Sequence, residues 1–257
     1  MRFISTFCLS LLAIITFTLF SCSDKTEEFV SEPLSDYIPL QPGKYITYRI
    51  DSLVFTNFGR NIEIHKYQVK HVVDAQITDN LGRPSYRIFT YLSDSTGLEG
   101  WSPNGSYFIT PVTNQVEVIE NNLRVIKLHQ PFRDGYEWKG NAYLPIDPYD
   151  SRDPLNSYDF GMNEWDFYYD GEAEPAVSIQ GQTYNDVFTV EQRDDAFNAP
   201  VAIDDVYGFK NRSVEKYSKN IGLVYRNYEL WEYEPNTSGS SPYYKGFGIT
   251  MWMIDHN

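Results

Sequence analysis

The sequence predicts an all-β protein: a single curved antiparallel sheet, barrel or sandwich of about ten strands, with at most short helices. Three observations predict it. Apolar and polar residues alternate with period two through most of the chain, as half-buried strands require. Tyrosine, which favours strands and positions with one wet end, occurs 21 times. No stretch carries a long apolar stripe at helical spacing with start and stop residues.

The elements follow in order. Gln41-Pro42-Gly43 makes a turn into KYITYRIDSLVF, where Ile46, Tyr48 and Ile50 alternate with Tyr45, Thr47 and Arg49. A long extended run spans Ile62 to Thr78, with Tyr67, Val69 and Val73 on one face. Asp79-Asn80-Leu81-Gly82 turns it back into Tyr86–Tyr91, and SYFIT follows. QVEVIE, Asn121-Asn122 and LRVIKL read as a hairpin, because paired asparagines accept the positive φ of a tight turn. AVSI, Gln180-Gly181-Gln182 and TYNDVFTVEQ suggest another. Val214–Tyr217, Gly222–Tyr233 and Gly246–Ile254 supply the last strands, and Met162–Tyr169 reads as a short helix or an extended segment.

The N-terminus sets the location. Arg2 and the apolar stretch LSLLAIITFTLF lead to Leu19-Phe20-Ser21-Cys22, the arrangement of a lipoprotein leader ending at a cysteine that accepts lipid. The stretch is short for a membrane span, which needs about 20 apolar residues, and an uncleaved anchor is the rival reading. Cys8 has too little apolar sequence before it to compete. The expected organisation is a signal peptide over 1–21, a lipidated Cys22 with a flexible acidic tether over 22–38, and one β-rich domain over 39–257. Cys22 is the only cysteine left after processing, so no internal disulfide and no cysteine-based zinc site is expected.

The chain carries 35 acidic against 21 basic residues, a formal charge of −14, and Arg2 leaves with the leader. That balance opposes nucleic-acid binding, which needs clustered Lys and Arg. With hydrophobic residues at 42%, the chain has ample material for one core.

Candidate chemistry is sparse. Pro145–Gly171 combines prolines, six aspartates and aromatics, and a connection of that length is usually functional. Asp147, Asp150, Asp153 and Asp159 are hard oxygen ligands, but their spacing and the intervening prolines do not match a calcium loop. His65 and His71 share a strand face yet lie about 20 Å apart, too far for one ion; His129 and His256 are isolated. There is no nucleophile elbow, phosphate loop, zinc-protease helix or dinucleotide fingerprint. Trp101, Trp138, Trp165, Tyr168 and Tyr169 could stack on sugar rings, with Trp165, Tyr168 and Tyr169 the closest group, or could fill a β core. No cofactor, metal site or catalytic residue is expected.

Five runs carry a resemblance. They are Trp138-Lys139-Gly140-Asn141, Trp165-Asp166-Phe167-Tyr168-Tyr169, Gly181–Val187, Tyr217–Tyr225 and the ending Gly246–Asn257. Together they resemble a group of uncharacterised Bacteroidetes outer-membrane lipoproteins. Asp24, Lys25, Glu27 and Glu28 resemble the acidic stretch that follows the lipidated cysteine in surface-exported members of that phylum. The resemblance implies an envelope location and a β-rich fold, and supplies no catalytic residues. The expectation is a lipid-anchored outer-membrane protein, facing the cell surface or the periplasm, that serves as a non-enzymatic binding or structural accessory module. The alternatives are a surface glycan-binding protein and a carboxylate-dependent hydrolase. The expected partners are the membrane, through the anchor, and a glycan or an envelope protein.

Overall fold

A computed structural model describes residues 31–145, 148, 161–236, 239 and 241–257. Cys22, the acidic residues after it, and Asp147, Asp150, Asp153 and Asp159 lie outside the described residues. A short helix α1 (Leu34–Tyr37) precedes β1 (Tyr45–Thr56), β2 (Asn61–Thr78), β3 (Pro84–Ser93), β4 (Ser102–Pro111), β5 (Gln115–Glu120) and β6 (Leu123–His129). There follow β7 (Glu137–Trp138), a 3-10 turn over Met162–Glu164, β8 (Phe167–Tyr169) and β9 (Glu174–Ile179). β10 (Gln182–Phe197), β11 (Gly208–Ser218), β12 (Gly222–Glu234) and β13 (Tyr243–His256) complete the set.

All thirteen strands join one antiparallel sheet, in the order β6-β5-β4-β3-β2-β1-β13-β12-β11-β10-β8-β7, with β9 also paired to β10. The two ends of that order meet. Ile126 N–H on β6 donates to Gly140 O just past β7 at 2.8 Å, and Trp138 Nε1 donates to Ile126 O at 2.9 Å. The sheet is therefore a nearly closed barrel, the geometry that removes exposed edges. Gly140 is required at this seam because a Cβ there would lie 2.2 Å from the Phe167 ring.

Local chemistry accounts for the turns. Asn121 and Asn122 take φ of 51° and 63°, the left-handed pair that a two-residue hairpin needs. Gln180 and Gly181 repeat the device at 50° and 84° between β9 and β10. The outer face of β1, β2 and β3 carries Arg49–Asp51 and Lys66–Asp51 ion pairs, and Arg87 lies against Asp74. That face is charged, unlike the apolar outer band of a membrane barrel.

Two expectations need correction. Among the described residues the strands number thirteen rather than about ten, because β7 and β8, of two and three residues, are too short to show a period. Met162–Tyr169 is both things in turn: a 3-10 turn, then strand β8. The packed unit also begins at Ser31 rather than Pro39. Tyr37 is fully buried against Phe132 and Phe188, with ring centroids 4.8 and 5.2 Å away, so this end of the expected tether is part of the fold.

Candidate functional site

The barrel interior divides into a filled part and an open part. The filled part lies at the seam. Phe132 stacks on Phe188 at 4.9 Å, Tyr169 lies 4.9 Å from Trp138 and 5.2 Å from Phe132, and Trp138 meets Phe167 edge-on at 6.0 Å. Tyr169 also staples the closure: its hydroxyl accepts His129 N–H at 3.2 Å and donates to His129 O at 2.7 Å. Burial pushes the Tyr169 hydroxyl far above the usual tyrosine range.

The open part is a lumen of about 390 Å³, bounded mainly by β1–β4, β12 and β13. Its size falls in the range of small-molecule pockets, roughly 300–1,000 Å³. Ile46, Ile50, Val69, Ile88, Ile249 and Met251 form its apolar wall. Lys44, Asn220 and Asn257 line it as well, where Lys44 Nζ donates to Asn257 O at 2.8 Å. Gly222, at φ 107°, opens β12 beside this region, with Ile46 Cδ1 3.5 Å from where a Cβ would stand. A smaller space of about 190 Å³ adjoins the lumen and shares Val118, Glu120, Lys127 and Arg226 with it.

At that junction sits a buried charge cluster. Glu215 is 1% exposed, and both of its oxygens are occupied. Oε1 accepts Lys127 Nζ at 2.8 Å and Arg226 Nε at 2.7 Å; Oε2 accepts Tyr217 OH at 2.8 Å and Gln192 Nε2 at 3.0 Å. Ser213 in turn donates to Gln192 Oε1 at 2.7 Å, fixing the amide. Burial pushes the Glu215 carboxyl upward, but the Lys127 and Arg226 charges and the hydrogen bonds outweigh it and hold it at about 2. Burial lowers Lys127, and Glu215 pulls it partly back.

The strand geometry explains how these groups meet. Glu215 on β11 lies directly opposite Arg226 on β12. Lys127 comes from β6, at the far end of the strand order, and reaches Glu215 across the interior. Lys127 and Gln192 are each the extra residue of a β-bulge: Val116 and Glu117 face Leu128 and Ile126, and Glu191 and Arg193 face Val214 and Ser213. Nearby, Tyr107 OH lies 3.0 Å from His71 Nδ1, and burial followed by the Arg226 charge lowers His71 to about 3. His71 is therefore neutral at physiological pH.

The sequence-predicted aromatics are placed differently from one another. Trp165 (3% exposed) and Tyr169 (0%) face the interior, while Tyr168 is 37% exposed on the outside, so the three share no open surface. Trp138 is buried, and Trp101 is exposed with Lys70 Nζ 5.9 Å from its ring. His65 is outside the lumen, paired to Glu63 at 2.9 Å. Sequence reasoning missed Lys127, Glu215 and Arg226. A signal existed: Arg226 shares strand parity with Tyr228 and Leu230, and Lys127 follows Leu123 and Val125 at the same period. Charge on an apolar face is the mark of an interior polar site.

A shallow depression of about 490 Å³ lies over the outer face of β10–β12, where Arg212 Nη2 bonds Glu191 Oε1 at 2.8 Å. Its main cation is already matched. Among the described residues, no group of three or more His, Cys, Asp or Glu could hold a metal, and no helix is long and apolar enough to cross a membrane.

The fold and lumen define a class: a β-barrel with an internal cavity that is apolar over most of its wall and charged at one side. No family model matches the sequence, and no curated protein matches it. Two solved structures align with most of it. One is a candidate outer membrane lipoprotein-sorting protein domain from Vibrio parahaemolyticus, 11% identical over 84% of this chain and 85% of its own, with a TM-score of 0.19. The other is a DUF1329 family protein from Desulfovibrio piger ATCC 29098, 8% identical over 86% and 88%, with a TM-score of 0.20. Superpositions this loose carry no argument about the chain, and the functional reading rests on the lumen itself.

Proposed function

We propose that this is an envelope protein, lipid-anchored at Cys22, that holds a small, mostly apolar molecule in its barrel lumen without transforming it. The observation that carries the binding reading is the lumen of about 390 Å³ walled by Ile46, Ile50, Val69, Ile88, Ile249 and Met251. Close-packed interiors leave few voids larger than a water molecule, so a space of this size beside a densely filled seam is a feature of the fold. The leader before Cys22 and the acidic stretch after it support the anchor and the envelope location.

Binding without chemistry is favoured by Glu215. A carboxylate that stays ionised down to about pH 2, with both oxygens occupied, is a weak base and no proton donor at neutral pH. That weighs against the carboxylate-dependent hydrolase reading at this site.

Two measurements test the proposal. Cys22→Ser abolishes incorporation of labelled fatty acid; undiminished labelling refutes the anchor. The same unacylated chain enhances the fluorescence of the neutral probe N-phenyl-1-naphthylamine with one saturable site. Ile249→Trp fills the lumen and removes that site, and enhancement that survives it places the probe elsewhere and overturns the binding reading.

A further inference from the structure

We infer that the lumen accepts an amphiphile with one anionic head group, a carboxylate or a phosphate monoester, seated against Arg226 and Lys127. This deepens the lumen-binding reading and rests on it.

Donors outnumber acceptors at the junction. Two cations, Lys127 and Arg226, face one carboxylate, Glu215, and both bond the same oxygen. Glu215 has no acceptor position to spare, since Tyr217 and Gln192 occupy its other oxygen. A guanidinium has five N–H donors and an ammonium three. Arg226 uses only Nε, so both of its terminal nitrogens lack a partner among the described residues. Lys127 spends one donor of three. The Arg226 side chain keeps 30% of its surface open and borders both spaces at their junction.

The neighbours do not absorb this surplus. Glu120 lines the same junction but makes no salt bridge with either cation among the described residues and stands at the exposed end of the β5–β6 hairpin. Its charge tempers the local potential from a distance. His71 and Tyr107 complete the polar side and are neutral at physiological pH. Donors left without an acceptor away from bulk water are costly, and an entering anion that meets them removes that cost. The rest of the wall is apolar, so the remainder of the ligand is a hydrocarbon tail. A neutral ligand leaves the donors unfilled, and a cationic one meets like charge.

The experiment is displacement of bound N-phenyl-1-naphthylamine from the full Cys22→Ser chain by four compounds with twelve-carbon chains, below their micellar concentrations. They are dodecanoate, dodecyl phosphate, dodecanol and dodecyltrimethylammonium. At least one anion displaces the probe at about tenfold lower concentration than dodecanol, and the ammonium compound is weakest. Whichever anion is stronger identifies the head group as carboxylate or phosphate. Acetate and inorganic phosphate alone leave the probe in place. In Arg226→Gln the anion advantage over dodecanol shrinks to under threefold, and an advantage that stays tenfold overturns the inference. Lys127→Met, which leaves Glu215 its arginine, provides the same test if Arg226→Gln does not fold. Dodecanol equal to or better than both anions in the parent overturns the inference and leaves lumen binding intact. A probe site that Ile249→Trp does not remove overturns both.

Discussion

The seam and the lumen enclose neighbouring parts of one barrel and are built in opposite ways. At the seam, Phe132, Trp138, Phe167, Tyr169 and Phe188 are all nearly fully buried and interlock at ring distances of 4.9–6.0 Å. Across the lumen, the aliphatic side chains of Ile46, Ile50 and Ile249 face open space instead. The seam has the harder task, because β7 and β8 supply few ladder hydrogen bonds and packing must complete the closure. Long ladders such as β1–β2 and β12–β13 hold the lumen wall through their backbones, which frees their side chains to line a cavity. Glu215 stands on the border, joining β6 to β11 and β12 by charge where aromatic packing stops.

The largest expected effect is at the seam. Trp138→Ala deletes a side chain held in four ring contacts and the Nε1 bond to Ile126, and costs ~3–5 kcal/mol in denaturant unfolding. A loss below ~1 kcal/mol would mean that the ladder alone closes the barrel.

Next comes the border. Glu215→Gln leaves Lys127 and Arg226 without a counter-charge and costs about 3 kcal/mol at pH 7. The parent shows the matching pH dependence. Folding holds the Glu215 carboxyl at about 2 against an ordinary 4.5, so its contribution is full above about pH 5 and is lost as pH falls toward 2. The variant lacks that portion of the acid slope. Equal slopes in the two chains between pH 5 and 2 would assign acid sensitivity to other carboxylates.

The smallest effect sharpens the contrast from the lumen side. Ile249→Trp adds bulk where there is space, so its unfolding free energy stays within ~1 kcal/mol of the parent, upward if it changes at all. The same enlargement in a filled core costs ~1–3 kcal/mol. A loss above ~2 kcal/mol would show that the lumen collapses around its ligand or is already occupied.

Legibility in the sequence follows the same division. The long strands were readable because each carries several turns of a period-two pattern, as in Ile46, Tyr48 and Ile50 of β1. The Asn121-Asn122 turn was readable because few residue pairs tolerate its dihedrals. β7 and β8 were not, since two or three residues define no period. Trp165 and Tyr169 were visible as aromatics, but which way they face depends on where β8 pairs, a decision made by Val190 and Glu191 of β10. The segment Ser31–Ile38 looked like solvated tether because four residues of helix α1 offer only Leu34 and Tyr37 to a core.

The sequence by itself determined an all-β chain and the order and turns of its long strands, because each depends on residues close together along the chain. The tertiary structure decided that the sheet closes, that aromatics fill one part and leave the other open, and that Lys127, Glu215 and Arg226 meet inside. Lys127 and Glu215 lie 88 residues apart, so no local pattern encodes their meeting. Their encounter depends on β6 and β11 being brought to face each other across a closed barrel, and closure is a property of the whole strand set rather than of any one segment.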